Sequence, residues 1–291
     1  MPGPLLTAAM PLLFVVLWST GFIGGKLGLP YAEPLTFLAI RYALVLALML
    51  PLVLLTHAPW PSDRRQYLHI GVSGLLVHGL YLGGVFTAIG AGLPAGITAL
   101  VVGMQPLLTA LGAGWLLGEH VVGRQWLGLA LGFGGVALVV IGQSGSAGFD
   151  APLGAMLIPA LLALAGITAG TLYQKRYCPA FDLRTGAVIQ FIPTLIVTAL
   201  AAWASEAMAV EWSGEFVFAL GWLVVVLSLG AISLLNLLIR SGGAVNVASL
   251  FYLTPPTTAV MAWLLFDERL APLALAGMAV AVAGVWLARG R

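Results

Sequence analysis

The sequence predicts an all-α integral membrane protein, with ten transmembrane helices arranged as two inverted five-helix repeats. Three observations carry that expectation. Of 291 residues, 61% are hydrophobic and 8% charged, where an ordinary soluble domain carries about a quarter charged residues. Continuously apolar runs, each near the roughly 20 residues a helix needs to cross a bilayer, recur along the whole chain. And PLLTALGAGWLLGE, from Pro106 to Glu119, returns as PPTTAVMAWLLFDE, from Pro255 to Glu268.

The apolar runs place spans at about 5–25, 34–55, 67–88, 93–117, 124–142, 153–173, 184–203, 215–238, 243–265 and 271–288, with short turns between them. A membrane barrel is disfavoured because its strands alternate apolar and polar over about 10 residues. No stretch remains that can bury a soluble core of its own, so function must reside within the bundle. The first run reads as a retained span: MPGPLLTAAM offers no basic n-region, and WSTGFIGGK has no small-x-small cleavage site.

Counting basic residues by side orients the chain. Arg64, Arg65, Arg124, Lys175, Arg176, Arg184, Arg240, Arg289 and Arg291 fall on the side of both termini, against Lys26 and Arg269 on the other. Both termini are therefore expected in the cytoplasm, in a multi-pass protein of the bacterial cytoplasmic (inner) membrane. Cys178, the only cysteine, excludes an internal disulfide or a cysteine zinc cluster.

Sliding the chain over itself by 149 residues pairs Pro106 with Pro255, Glu119 with Glu268, Gly128 with Gly277 and Gly135 with Gly284. The same offset pairs Gly21 with Gly170 and Lys26 with Lys175. From Ala95 to Leu138, 13 of 44 aligned positions are identical. The repeats are 1–142 and 150–291. A unit of five spans ends on the opposite face from its start, so the second copy enters the membrane upside down. Such folds hold their sites near the midplane and open them to alternate sides by rocking one half on the other.

WSTGFIGGKLGL with Arg41 in LAIRY, the paired PLLTALGAGWLLGE and PPTTAVMAWLLFDE, and the G-x6-G-V endings from Gly128 and Gly277 resemble the EamA branch of the drug/metabolite transporter superfamily. The resemblance covers nearly the whole chain. It implies ten helices in two inverted halves and export of small metabolites such as amino acids, the aromatic amino-acid exporters included. It also implies that the first, third, fourth, sixth, eighth and ninth helices surround a central cavity, which makes Trp18, Ser19, His78, Tyr81, Tyr173, Gln174 and Asn236 candidate substrate contacts.

Pro106 and Pro255, early in the fourth and ninth spans, each remove a helix hydrogen bond and free the carbonyls of Val102 and Phe251. Beside them stand Met104, Gln105, Asn246, Tyr252 and Thr254, polar or adaptable side chains at a depth where polarity must face a partner or a wet cavity. His78 and Tyr81, three apart, share one face of an α-helix. A histidine satisfied by a backbone carbonyl is the plain alternative for His78, and a membrane-interface anchor the alternative for Trp18. Lys26 and Lys175 are read as gating residues or as lysines snorkelling to the membrane surface. Glu119 and Glu268 are expected against Arg124 and Arg269. Arg41, about seven residues into its span, needs a partner, for which Glu33 or a carbonyl is expected.

No His, Cys or carboxylate cluster has metal-ligand spacing, no phosphate loop or catalytic triad appears, and no cofactor is implied. The expected partners are a small-molecule substrate and the lipid bilayer, with no nucleic acid, in a monomer or homodimer. An exporter of small amphipathic metabolites, most simply neutral or aromatic amino acids, leads. A carrier of nucleotide-sugars or lipid precursors, an intramembrane enzyme and a passive channel are the alternatives, and the enzyme lacks an acid/base or nucleophile pair.

Overall fold

A computed structural model describes residues 4–117, 122–146, 152–178, 181–231, 234 and 251–287. The described chain is helical: α1 (Pro4–Gly28), α2 (Pro34–Leu55), α3 (Arg64–Gly74), a π-helical segment π1 (Leu75–Leu82), α4 (Gly83–Gly90), α5 (Ala95–Val102), α6 (Gln105–Leu117), α7 (Gly123–Ser146), α8 (Leu153–Tyr177), α9 (Leu183–Ser205), α10 (Gly214–Trp222), π2 (Leu223–Ala231), one 3-10 turn (Phe251–Leu253), α11 (Thr254–Phe266) and α12 (Pro272–Leu287). Among the described residues the only β-pairing is one isolated bridge, Ala32 to Val210.

Among the described residues five helices are long and apolar enough to cross a membrane, Met10–Gly28, Pro34–Leu55, Arg64–Gly90, Leu153–Tyr177 and Leu183–Ser205, with shorter apolar helices between and after them. Their outward faces expose large apolar side chains, among them Leu55, Ile158, Leu200, Trp203 and Leu264. Water does not tolerate so much apolar surface on a monomer; acyl chains do, because every helix satisfies its own backbone. The chain is a multi-pass membrane protein.

Two departures from the expected spans bear on the site. The run 93–117 is not one helix: Gly103 and Met104 interrupt it, and Pro106 falls in the first turn of α6. There its missing N–H has no helical partner to lose, so the proline starts a helix where the sequence suggested that it kinks one. Pro255 likewise falls in the first turn of α11, after the 3-10 turn. The third and eighth spans each carry a π segment, π1 and π2, which share the 149-residue offset of the sequence match, 75–82 falling on 224–231.

Helix ends are tied by carboxylates. The amides of Leu35 and Thr36, in the first turn of α2, donate to Glu206 at 2.8 and 2.7 Å, and the Thr36 hydroxyl joins them at 2.7 Å. Glu33 returns the favour by accepting from Ala207 and Met208. The loops 29–33 and 206–213 are thereby clasped at one end of the bundle, the Lys26 end. At the opposite end the Thr185 hydroxyl, in the first turn of α9, donates to the Pro59 carbonyl at 2.9 Å. Thr36 and Thr185 are also 149 residues apart.

Asp182 caps α9, accepting from the Arg184 amide at 2.9 Å and from its guanidinium at 2.7 Å. Arg184 holds the carboxyl below its ordinary value. Because the folded-state pKa is depressed, this stabilisation is fully present above the ordinary aspartate value of 3.8 and is lost as pH falls from there through the lower folded-state value. Asp182→Ala should cost about 1 kcal/mol, typical of a lost N-cap, and the difference from wild type should shrink in thermal melts below about pH 4.

The most extensive helix crossing among the described residues joins α7 to α12. A Cβ added at Gly135 would lie 2.5 Å from the Gly277 carbonyl and the Ala281 amide, and one at Gly284 2.7 Å from the Gly128 carbonyl. Gly142 meets Ala274 and Leu273. Advancing along α7 therefore means retreating along α12, so the two helices run antiparallel. Glycines let the backbones touch, as small residues do between membrane helices.

Candidate functional site

The breaks before Pro106 and Pro255 face each other. A Cβ on Gly103 would come 2.9 Å from the Pro255 ring, and one on Gly96 3.0 Å from Ala259. Ser19 of α1 donates to the Thr254 carbonyl at 3.4 Å. The hydroxyls of Thr254, Thr258 and Thr168 are buried without a partner. On the other half, Gln105 donates its amide to Thr109 at 3.0 Å and Thr171 at 3.3 Å. Trp18 stacks edge-on to Phe251 at 5.2 Å, with Phe14 closing the cluster. Trp18, Ser19, Gln105, Thr254, Pro106 and Pro255 thus belong to one neighbourhood at the helix breaks.

Other candidates stand elsewhere. Met104 is buried in a second core, its methyl against Gly132 of α7. His78 stacks on Phe191 of α9 at 4.3 Å, and its carbonyl accepts from the Tyr42 hydroxyl at 2.6 Å. Both His78 and Tyr81 lie in π1, where i→i+5 bonding takes more than four residues per turn. Residues three apart then no longer share a face, which removes the α-helical argument for pairing them. Tyr81 is buried in the first core. Tyr173 bonds His69 Nδ1 at 2.8 Å, and Tyr177 stacks on the same ring at 5.3 Å. Gln174 is half-buried and its carbonyl accepts from the Cys178 amide. Lys175 is exposed. Asn236, Asn246 and Glu119 lie outside the described residues, as does the Tyr252 side chain.

The ion pairs differ from expectation. Lys26, at the end of α1, pairs with Glu268 beyond α11 and lies 5.0 Å over the Phe266 ring. Arg269 takes Asp267 instead, at 3.0 Å. Glu33 is spent on the Ala207 and Met208 amides, so Arg41 does not meet it; its Nη2 donates to the Ser228 hydroxyl in π2 at 3.4 Å. Outside the spans, Glu215 accepts from the Tyr31 hydroxyl and raises that phenol. Burial raises the Cys178 thiol, against a bond to Ser73. His69, Ser228 and Glu206 were missed from sequence. Ser228 had one signal, a single polar residue in VVVLSLG; His69 and Glu206 act through partners more than a hundred positions away.

Apolar helices thus enclose polar groups at paired helix breaks, with an ion pair across one end, an arrangement that suits a membrane transporter. The profile of the EamA-like transporter family matches twice, at residues 5–141 and 153–290. This chain belongs to that family. It is 31% identical to the uncharacterized transporter YvbV of Bacillus subtilis (strain 168) over 97% of this chain and 90% of the relative. It is 28% identical to a probable amino-acid metabolite efflux pump of Escherichia coli (strain K12), over 96% and 93%. Another relative, the uncharacterized inner membrane transporter YedA of the same strain, is 26% identical over 94% and 87%. A solved crystal structure shares the fold at a TM-score of 0.61 and 20% identity, covering 96% of this chain and 94% of the other.

Proposed function

We propose that the chain is a secondary carrier that exports small amphipathic metabolites, with neutral or aromatic amino acids as its substrates, by alternating access. It does so as ten spans in two inverted halves, 1–142 and 150–291, with both termini in the cytoplasm of a bacterial cell. The observation that carries this reading is the α7–α12 crossing. Gly128 and Gly135 of one helix correspond to Gly277 and Gly284 of the other, yet the contacts run Gly135 to Gly277 and Gly128 to Gly284. Equivalent antiparallel helices that exchange equivalent residues are related by a twofold axis across their length, the relation an inverted repeat requires.

Further observations support it. Gly21 packs on Leu227 and Gly170 on Val77, so each half sets its first helix against the other's π segment. The Lys26–Glu268 pair joins the first half to the second at one end. For the substrate, the support is the name of the Escherichia coli relative together with aromatic and hydroxyl side chains at the helix breaks.

The test is uptake of labelled phenylalanine, leucine and glycine into liposomes holding the purified protein. Saturable uptake, with the larger side chains competing better, and a severalfold fall in Trp18→Ala are expected. Folded protein that moves none of them defeats the amino-acid reading.

A further inference from the structure

Arg41 stands seven residues into α2, 7% exposed, beside Ser228 of π2 and next in sequence to Tyr42, whose hydroxyl reaches His78 of π1. Its guanidinium is charged at any physiological pH, and an unneutralised charge inside a span costs a few kcal/mol. Its described surroundings do not neutralise it. Nε has no hydrogen-bond partner. Nη2 reaches Ser228 Oγ at 3.4 Å, a hydroxyl that gives its own proton to the Leu223 carbonyl at 3.1 Å. The neighbouring Tyr42 hydroxyl is committed to His78 O. The acid on the same segment, Glu33, is held at the Lys26 end by two amides.

We propose that the missing counter-charge is the transported molecule's own: Arg41 binds a substrate monocarboxylate between π1 and π2. The inference rests on the carrier reading above and adds the chemistry by which substrate is recognised. A guanidinium presents its N–H donors in a planar fork that fits a carboxylate, and helix stretches with π geometry are frequent at functional sites. The carboxylate class is favoured over phosphate by charge. Lys26, a cation near the other half, is already paired with Glu268, and a dianion needs more than one guanidinium. Arg41 is enclosed while the Lys26 end is clasped, so substrate reaches it when one end of the bundle opens.

The test uses purified full-length protein in lipid nanodiscs, with ligand affinity read from thermal stabilisation, and three probes. Phenylalanine carries both charges, phenylalaninamide lacks the carboxylate, and 3-phenylpropionate lacks the ammonium. Wild type should prefer phenylalanine over its amide by about tenfold or more, the scale of one charged hydrogen-bond pair. In Arg41→Gln that ratio should collapse to about one, with Arg41→Lys between. Arg41→Met, without ligand, should melt no lower than wild type, because it removes a buried charge that has no counter-ion among the described residues. The proposal is overturned if folded Arg41→Gln keeps the preference, or if Arg41→Met melts far below wild type, which marks a structural arginine. Arg41-dependent binding of 3-phenylpropionate without any binding of phenylalanine keeps the carboxylate site and discards the amino-acid reading. If neither carboxylate binds wild type, both fall.

Discussion

Transport by a chain carrying Lys26→Cys and Glu268→Cys, with Cys178→Ser to remove the native thiol, will stop when the two positions are joined by a short cleavable thiosulfonate linker and return on reduction. The native pair ties the last turn of α1 to the turn after α11 at one end of the bundle. Alternating access needs that end to open once per cycle, so a covalent tie converts one state into the only state. The ion pair itself is suited to release. Its side chains are 30% and 12% exposed, and partly solvated pairs contribute about 0.2–1 kcal/mol. Glu268→Gln alone should therefore change transport by a few fold, while the linker abolishes it. The measurement is liposome uptake before linking, after linking and after reduction; unchanged uptake in the linked protein would rule out opening at this end as part of the cycle.

Gly135→Ala should leave little folded protein, whereas Gly134→Ala, one residue away, should be nearly silent. A methyl at 135 meets backbone atoms of α12 at 2.5 Å, and backbone cannot rotate aside as a side chain can. A methyl at 134 meets nothing within 4 Å. Overpacking usually costs about 1–3 kcal/mol, occasionally more, and a clash with two backbone atoms belongs at the upper end. Gly277→Ala should match it, and the double variant should cost less than the sum because both act on one contact. Size-exclusion profiles and melting temperatures in detergent decide the matter; equal profiles for Gly134→Ala and Gly135→Ala would refute the crossing.

Span positions were legible because acyl chains impose a length on any helix that crosses them: 34–55 was read to the residue, and 184–203 lies within Leu183–Ser205. That the chain holds two copies of one unit was legible too, through recurring Gly, Pro and Lys, and the family profile matches twice, at 5–141 and 153–290. The backbone irregularities were not. LLVHGLYL is as apolar in π geometry as in α, so nothing in its composition warned that His78 and Tyr81 part company. The break at Gly103 had a local signal in the nearby proline, which was read as a kink because a proline inside an apolar run and one starting a helix look alike in sequence. Glu268 was assigned to its neighbour Arg269, yet it binds a lysine 242 residues upstream; electrostatic partners follow the fold, not the chain.

A π segment closes each backbone hydrogen bond over one residue more than the α ladder around it. If that surplus passes along the helix, everything beyond it turns by one α-helical step, about 100°, with no loss of hydrogen-bonded continuity. Ser228 and Tyr81 ride on such segments, one in each half. The π segments at Leu75–Leu82 and Leu223–Ala231 are thus stores of slack as well as struts: a slip of a single residue in either would turn the side chains beyond it without breaking the helix.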